Sequence, residues 1–267
     1  MLRTHPTIIA SVAANPSPLG VKLHNAGYAA LGLDYTYLAM GAEKIEEAID
    51  ALRLLSYRGM GVSMPFKQSV ISCLDEVDSA VTAIGACNTV VNEDGNLLGY
   101  NTDWNGAADA ISEVCDLNLI QTAVIVGAGG VARAISFALK KHGIKVFICA
   151  RNKDQREKIV SDLSLDGCAA LEEQGKFNAN LVVNATPIAT IDGPTDLSKH
   201  PTATVLLDVV FQKRTTELDL CAINKGLKVA YGWRMLLLQG VAQFKLYTKQ
   251  TPPIEAMSKV LEAALPE

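Results

Sequence analysis

The chain has 267 residues, 49% of them hydrophobic and 19% charged, with a net charge of −4. That length and composition provide for a sizeable core in one large or two modest domains and exclude a disordered chain. The acidic balance and the scatter of the 24 lysines and arginines exclude a nucleic-acid footprint and a polybasic membrane patch.

No apolar run approaches the ~20 residues that span a bilayer. Met1–Pro6 shows no signal-peptide pattern, so a cytoplasmic protein is expected. Six dispersed cysteines, with no Cys-x-x-Cys pair, and four scattered histidines predict no metal site. Cys87 and Cys149 lie in apolar stretches and read as small core residues.

In chain order, Thr7–Val12 reads as a buried strand. Asn15-Pro16-Ser17-Pro18 is a turn, with Ser17 as N-cap and Pro18 at the first helical position. Leu19, Leu23, Ala26 and Ala30 then share one helical face. Tyr35–Met40 is a second strand. Glu43–Tyr57 carries Ile45, Ile49 and Leu52 at helical spacing, Gly59 stops it, and a strand follows into Pro65. Asn88–Val91 and Asn96–Tyr100 flank Glu93-Asp94-Gly95, a hairpin signal. The first hundred residues thus predict a parallel core with an appended hairpin.

Beyond them come a helix over Asn105–Cys115, a strand over Thr122–Val126, a glycine turn, a helix over Val131–His142 and a strand over Lys145–Ala150. That is one βαβ unit of about 30 residues. Asn180–Asn184, Val205–Val210 and Lys228–Tyr231 read as further strands, and Met235–Tyr247 and Glu255–Leu265 as closing helices. The alternation predicts α/β architecture with mostly parallel sheet. The helical tail is expected to pack back on the first unit, which makes the second domain an insertion in the first.

Three polar clusters fall at predicted strand ends. Gly127-Ala128-Gly129-Gly130-Val131-Ala132 departs from G-x-G-x-x-G only in its third glycine, where Ala132 is small enough for close packing. Glycine is needed where the chain turns sharply and where backbone approaches a pyrophosphate, and the following helix N-terminus favours an anion. At the tip of the next strand, Ala150-Arg151-Asn152-Lys153 has no acid for a ribose hydroxyl. Arg151 can instead pair with a 2′-phosphate, so NADP is the expected cofactor, although Asp154 lies close by. Thr186, in Asn184-Ala185-Thr186-Pro187, would sit in a loop at the same sheet edge.

The other two clusters are Ser63-Met64-Pro65-Phe66-Lys67 and, about 36 residues on, Tyr100-Asn101-Thr102-Asp103. Ketone–alcohol interconversion needs a proton carrier at the oxygen and stabilisation of the developing alkoxide. Lys67 can do both, with Asp103 as the partner that orients its ammonium. Taken singly, Lys67 also reads as a surface lysine and Asp103 as an N-cap.

Six segments in order, Ser63-Met64-Pro65-Phe66-Lys67, Cys87-Asn88-Thr89, Asn101-Thr102-Asp103, Gly127-Ala128-Gly129-Gly130, Asn184-Ala185-Thr186 and Gln239, resemble the shikimate dehydrogenase family over nearly the whole chain. The tail from Leu238 to Thr248 and Asp208-Val209-Val210 are similar to its shikimate-dehydrogenase-like subgroup. The resemblance implies NADP-dependent interconversion of 3-dehydroshikimate and shikimate, or a close analogue such as quinate. It also implies two α/β domains with a cleft between: residues 1–102 with 235–267 binding substrate, and a Rossmann-type domain over 103–234 binding NADP.

By the same resemblance Lys67 and Asp103 are the catalytic pair, and Asn15, Ser17, Ser63, Asn88 and Gln239 join them in holding substrate. The cofactor residues it implies are Gly127, Ala128, Gly129, Gly130, Val131, Ala132, Arg151, Asn152, Thr186, Val210 and Gly232. Departures gather on the substrate side: Asn15 replaces a serine, Ser63 a threonine and Phe211 a tyrosine. Trp233-Arg234 departs from the usual small residues after Gly232. The expected partner is a small shikimate-like carboxylate, with no nucleic acid and no membrane, and the expected state a monomer or homodimer. The alternatives are a quinate/shikimate-type enzyme with another substrate, an enzyme acting on a folate or amino acid, and a non-catalytic NADP- and metabolite-binding regulator.

Overall fold

The computed structural model describes residues 6–267. Met1–His5, part of the stretch read above for a signal peptide, lies outside the described residues. The main elements run β1 (Thr7–Ala13), α1 (Pro18–Ala30), β2 (Tyr35–Gly41), α2 (Ile45–Leu54), β3 (Gly59–Val62), β4 (Glu76–Val77), α3 (Ser79–Ile84), β5 (Thr89–Glu93) and β6 (Asn96–Tyr100). There follow α4 (Asp103–Ser112), β7 (Thr122–Val126), α5 (Gly130–Lys141), β8 (Lys145–Cys149), α6 (Lys153–Leu163), β9 (Gly167–Ala169), β10 (Leu181–Asn184) and β11 (Val205–Asp208). The chain closes with α7 (Glu217–Asn224), β12 (Lys228–Ala230), α8 (Gly232–Thr248) and α9 (Ile254–Ala264).

The chain divides into two compact units: Met1–Thr102 with Gln239–Ala264, and Asp103–Leu238 with Leu265–Glu267. The first holds a six-stranded sheet in the order β2-β1-β3-β5-β6-β4. β1 is parallel to both β2 and β3, whereas the β5–β6 hairpin is antiparallel and joins through β3. Ser17 caps α1, accepting from the Leu19 amide at 3.2 Å, and Pro18 begins the helix. Ile45, Ile49 and Leu52 are the buried face of α2 and pack on Val12, Met60 and Val62 of the sheet.

Glycines set how closely the helices approach. A Cβ on Gly27 of α1 would come within 2.8 Å of the Phe244 ring and 3.2 Å of Met257, so α8 and α9 close tightly over α1. β2 is an edge strand, and α1 guards it: Asn25 Nδ2 donates to Tyr37 O at 3.0 Å while Tyr37 N donates to Asn25 Oδ1 at 2.8 Å.

The second unit is a six-stranded parallel sheet in the order β12-β11-β10-β7-β8-β9. From β7 the chain moves outward through α5 to β8, then returns to the other flank at β10. The switch in direction therefore lies between β7 and β10, where open α/β sheets bind ligands beyond their strand ends. The central strands β7, β10 and β11 are almost wholly buried, as their unbroken apolar runs require.

Several boundaries differ from the sequence reading. The strand expected to reach Pro65 stops at Val62, because Phe66 N turns back to Ser63 O at 2.9 Å and proline has no amide for a ladder. α4 begins at Asp103 rather than Asn105, with that carboxylate in the first turn where the helix dipole favours it. α6 has no counterpart in the sequence reading: Ile159 is its only buried residue, so it offers no apolar period to read. Val209 and Val210 lie beyond β11 rather than in it, with Val210 N turned onto Asp208 Oδ1 at 3.1 Å.

Candidate active site

In the first unit the polar residues converge on Asn88, which is 2% exposed. Its Oδ1 accepts from Thr102 N at 2.7 Å, Thr89 Oγ1 at 2.7 Å and Thr102 Oγ1 at 3.3 Å. Its Nδ2 donates to Thr102 Oγ1 at 3.0 Å and Gln239 Oε1 at 3.4 Å. The carbonyl is thus saturated from within the fold, and the NH2 is turned toward Gln239. A buried amide so engaged has one orientation, because reversing it would set NH2 against the Thr102 amide.

The backbone binds the Lys67 segment to this cluster: Cys87 N donates to Lys67 O at 2.7 Å, and Val62 N to Asn88 O at 2.8 Å. Lys67 is half-buried at the end of the Ser63–Lys67 turn. Ser63 is exposed, and its amide is tied to Val12 O at 2.9 Å. Asn15 and Ser17 lie together in the exposed turn between β1 and α1. Asp103 follows Thr102 directly and is 8% exposed. The structure therefore brings Asn88, Gln239 and the Lys67 backbone together, with Asn15 and Ser17 on a separate turn of the same unit.

Sequence reasoning missed four contributors, Thr89, Thr102, Gln243 and His24. Thr89 and Thr102 stand inside segments singled out for their neighbours. Gln243 is one helical turn beyond Gln239, a spacing that places both on one face of α8. Gln243 Nε2 donates to Asn88 O at 3.2 Å and Thr89 Oγ1 at 3.0 Å, and its Oε1 meets His24 Nε2 at 3.3 Å. Burial pushes the His24 imidazole down to about 4, against the opposing effect of the Gln243 bond. The buried Cys87 thiol beside this cluster is pushed up to about 12 by desolvation.

In the second unit, Gly127 turns the chain out of β7 at φ +115°, a conformation that favours glycine, and a Cβ there would meet Ala185 O at 2.8 Å. Gly129 and Gly130 have open space around them, with no heavy atom within 4 Å of an added Cβ. Gly129 caps α5 without a side-chain hydrogen bond, so the first amides of the helix have no side-chain acceptor from the cap. Val131 is half-buried and Ala132 fully buried, while Ala128 completes the turn.

Arg151 and Asn152 are exposed just past β8. Asn152 caps α6, accepting from Gln155 N at 3.0 Å, and Asp154 lies in the first turn of that helix. Arg156 is committed to the backbone, with Nη1 donating to Ala150 O at 2.9 Å. Arg151 is the exposed cation nearest this strand end.

Behind the neighbouring strand ends lies a second polar hub. Asn184 Nδ2 donates to Asp208 Oδ1 at 2.9 Å, and Thr186 Oγ1 donates to Asn184 Oδ1 at 2.8 Å. Thr216 Oγ1 donates to Asp208 Oδ2 at 2.8 Å, and Thr216 N to Asp219 Oδ2 at 2.8 Å. Burial raises both carboxyls, Asp219 to about 7. Gly232 fits tightly under this edge, since a Cβ there would be 2.7 Å from Asp208 O. Its neighbours Trp233 and Arg234 pair with each other, and Arg234 Nε donates to Glu113 at 2.7 Å. An open glycine turn, an uncapped helix start and an exposed arginine at the next strand end fit a dinucleotide carrying a 2′-phosphate.

Comparison with known proteins supplies the context. Residues 12–90 match the family model described as shikimate dehydrogenase substrate binding domain, and residues 232–262 the one described as shikimate 5′-dehydrogenase C-terminal domain. A shikimate dehydrogenase-like protein of Haemophilus influenzae is 33% identical over 266 residues, covering 97% of each chain. The chain belongs to the shikimate dehydrogenase family.

Within that family, the shikimate dehydrogenase (NADP(+)) of Desulforamulus reducens is 33% identical, covering 90% of this chain and 88% of its own. The shikimate 5-dehydrogenase of Thermus thermophilus, solved in complex with NADP(H) and shikimate, superposes with a TM-score of 0.87 at 29% identity, over 97% of this chain and all of its own. The two-domain α/β fold expected from the sequence is thus that of the shikimate dehydrogenases.

Proposed function

We propose that this chain is an NADP-dependent oxidoreductase that interconverts 3-dehydroshikimate and shikimate or a close analogue. The observation that carries the reading is the buried Asn88, locked by Thr89 and Thr102 with its NH2 turned to Gln239 and the Lys67 backbone tied alongside. A site built this way suits a ring bearing several oxygens, because each misplaced partner leaves a buried polar group unpaired.

Bound NADP would supply or accept the hydride. Lys67 carries the proton: its ammonium donates to the carbonyl oxygen on reduction, the neutral amine takes the proton back on oxidation, and Asp103 is its carboxylate partner. The same ammonium stabilises the developing alkoxide. Asn88 and Gln239 hold substrate hydroxyls, Ser63 adds one hydroxyl contact, and Asn15 and Ser17 receive the carboxylate. Residues 1–102 with 235–267 form the substrate domain, and 103–234 the cofactor domain.

There, Gly127, Ala128, Gly129, Gly130, Val131 and Ala132 form the pyrophosphate turn. Arg151 takes the 2′-phosphate with Asn152 beside it, and Thr186, Val210 and Gly232 line the nicotinamide side. The described cysteines are all free, which fits a reducing compartment, and we place the protein in the cytoplasm as a monomer or homodimer. None of the described helices is long and apolar enough to cross a membrane.

The test follows NADP reduction with shikimate, quinate and ring analogues. Turnover of shikimate is expected. Faster turnover of quinate would move the physiological substrate to the analogue, a shift for which the exposed Asn15 and Ser63 substitutions leave room. Tight binding of NADP and shikimate with no turnover of any ring acid would overturn the enzyme reading in favour of a metabolite-binding regulator.

A further inference from the structure

Behind Asn88 lies a buried chain of hydrogen bonds that the reaction chemistry does not use. It starts at His24, 1% exposed in the middle of α1. The imidazole stacks on Tyr37 at 4.2 Å between ring centroids and lies parallel to Phe244 at 6.4 Å. Its Nδ1 is buried with no hydrogen-bond partner, while Nε2 faces Gln243 Oε1 at 3.3 Å.

The direction of every bond in the chain is determined. Gln243 Nε2 faces two acceptors, Asn88 O and Thr89 Oγ1, so Gln243 Oε1 must face His24. An oxygen there requires the proton on His24 Nε2, which leaves Nδ1 bare. Thr89 Oγ1, accepting from Gln243, directs its own proton to Asn88 Oδ1 at 2.7 Å. With the Thr102 amide also on that oxygen, the Asn88 carbonyl is engaged from two sides and its NH2 is the group turned to Gln239. A histidine that ionised would disturb nothing downstream directly, but burial among aromatic rings keeps it neutral far below its ordinary range.

We infer that His24 and Gln243 are positioning residues for substrate recognition: through Thr89 they join the Thr102 amide in holding the Asn88 carbonyl, and so steady the face of the amide that the site presents. The face presented is a donor, so the substrate group it selects is an oxygen with lone pairs, a hydroxyl or carbonyl, and it discriminates against a ring ammonium at that position. This deepens the reading of Asn88 as a substrate-holding residue and rests on it. Neither His24 nor Gln243 is assigned a contact with substrate.

A double-mutant cycle on the full chain tests it. Gln243→Met is expected to raise the KM for shikimate about 10-fold, the scale of one lost hydrogen bond, with the KM for NADP unchanged. In an Asn88→Ala background the same substitution should add nothing further, because the residue it acts through is gone. Effects that multiply instead would overturn the inference. Gln243→Glu keeps the size but cannot donate, and serves as the second variant should methionine prevent folding, with the same non-additivity expected.

A readout independent of activity is nitrogen NMR of labelled histidine. His24 is expected as the neutral Nε2–H form from pH 7.5 to 5.5. An Nδ1–H form in that range, which would leave Nε2 without the proton it must donate to Gln243, would overturn the chain of bonds whatever the enzyme turns over. Asn88→Ala with an unchanged KM for shikimate, beside the expected His24 form, would instead refute the substrate role of Asn88 and leave the bond chain standing.

Discussion

The two units prepare for their ligands in opposite ways. In the first, the candidate residues are side chains held rigid: Asn88 is buried, and its amide is engaged by Thr89, Thr102 and Gln239. In the second, the candidate residues offer backbone and space: Gly129 and Gly130 have no neighbours to hinder a ligand, and Arg151 stands exposed. The lesson concerns selectivity. A locked side-chain amide discriminates among oxygens on a ring, whereas a bare helix start accepts any phosphate and needs a separate cation to tell one nucleotide from another.

The most severe way to break this comparison is Lys67→Ala. Loss of the proton carrier is expected to lower kcat by about 10²-fold or more while NADP affinity, measured by fluorescence titration, is kept. A variant as fast as the parent would remove the chemistry from the first unit altogether.

The two units should also answer acid differently. His24 has its folded value lowered to about 4 from an ordinary 6.5, so the unfolded chain binds the extra proton first. Its contribution is complete above pH 6.5 and is lost as pH falls through the window to 4, an effect of about 3 kcal/mol. Asp219 runs the other way: raised from 3.8 to about 7, it favours the folded form at low pH and loses that contribution as pH climbs toward 7. Both tryptophans, Trp104 and Trp233, lie in the second unit, so their emission reports that unit, and tyrosine near-ultraviolet dichroism weights the first. On acidification from pH 6.5 to 4, the His24→Leu variant should lose less stability than the parent. Equal losses would show that His24 takes up its proton in the folded state.

Arg151→Ala sharpens the cofactor side. The KM for NADP should rise about 10-fold, the scale of a lost charged hydrogen bond, with the KM for NAD little changed. Equal efficiency with NAD and NADP in the parent would defeat the assignment.

The smallest effect on the cofactor separates two glycines of one turn. Gly129→Ala meets no atom and should leave Tm unchanged, yet raise the KM for NADP a few-fold if a phosphate approaches there. Gly127→Ala forces an L side chain to φ +115° and against Ala185 O, and should lower Tm by several degrees, for about 1–3 kcal/mol.

What could be read from the sequence follows the same division. The glycine turn, the strand before it and the helix after it were legible because backbone requirements leave glycines and apolar runs in plain sight. The α/β class and most strands were legible for the same reason. The polar α6 was not, because with Ile159 alone buried it carries no periodic signal. Thr89, Gln243 and His24 were not legible as a group either. Their partnership exists only once α1, α8 and β5 are packed together, and a lone histidine on a helix reads no differently from any other. Gln243 could have been found from its one-turn spacing to Gln239.

Asn25 carries a consequence for colloidal behaviour. β2 is a seven-residue edge strand, YTYLAMG, with neither charge nor proline to discourage a passing chain, and Leu38 and Met40 are partly exposed along it. The carboxamide of Asn25 occupies the outward amide and carbonyl of Tyr37, at the middle of that strand. An incoming strand would have to break both bonds before it could form its own. One side chain from the neighbouring helix thus caps the strand, a guard against fibril growth that costs the fold no lysine on its edge.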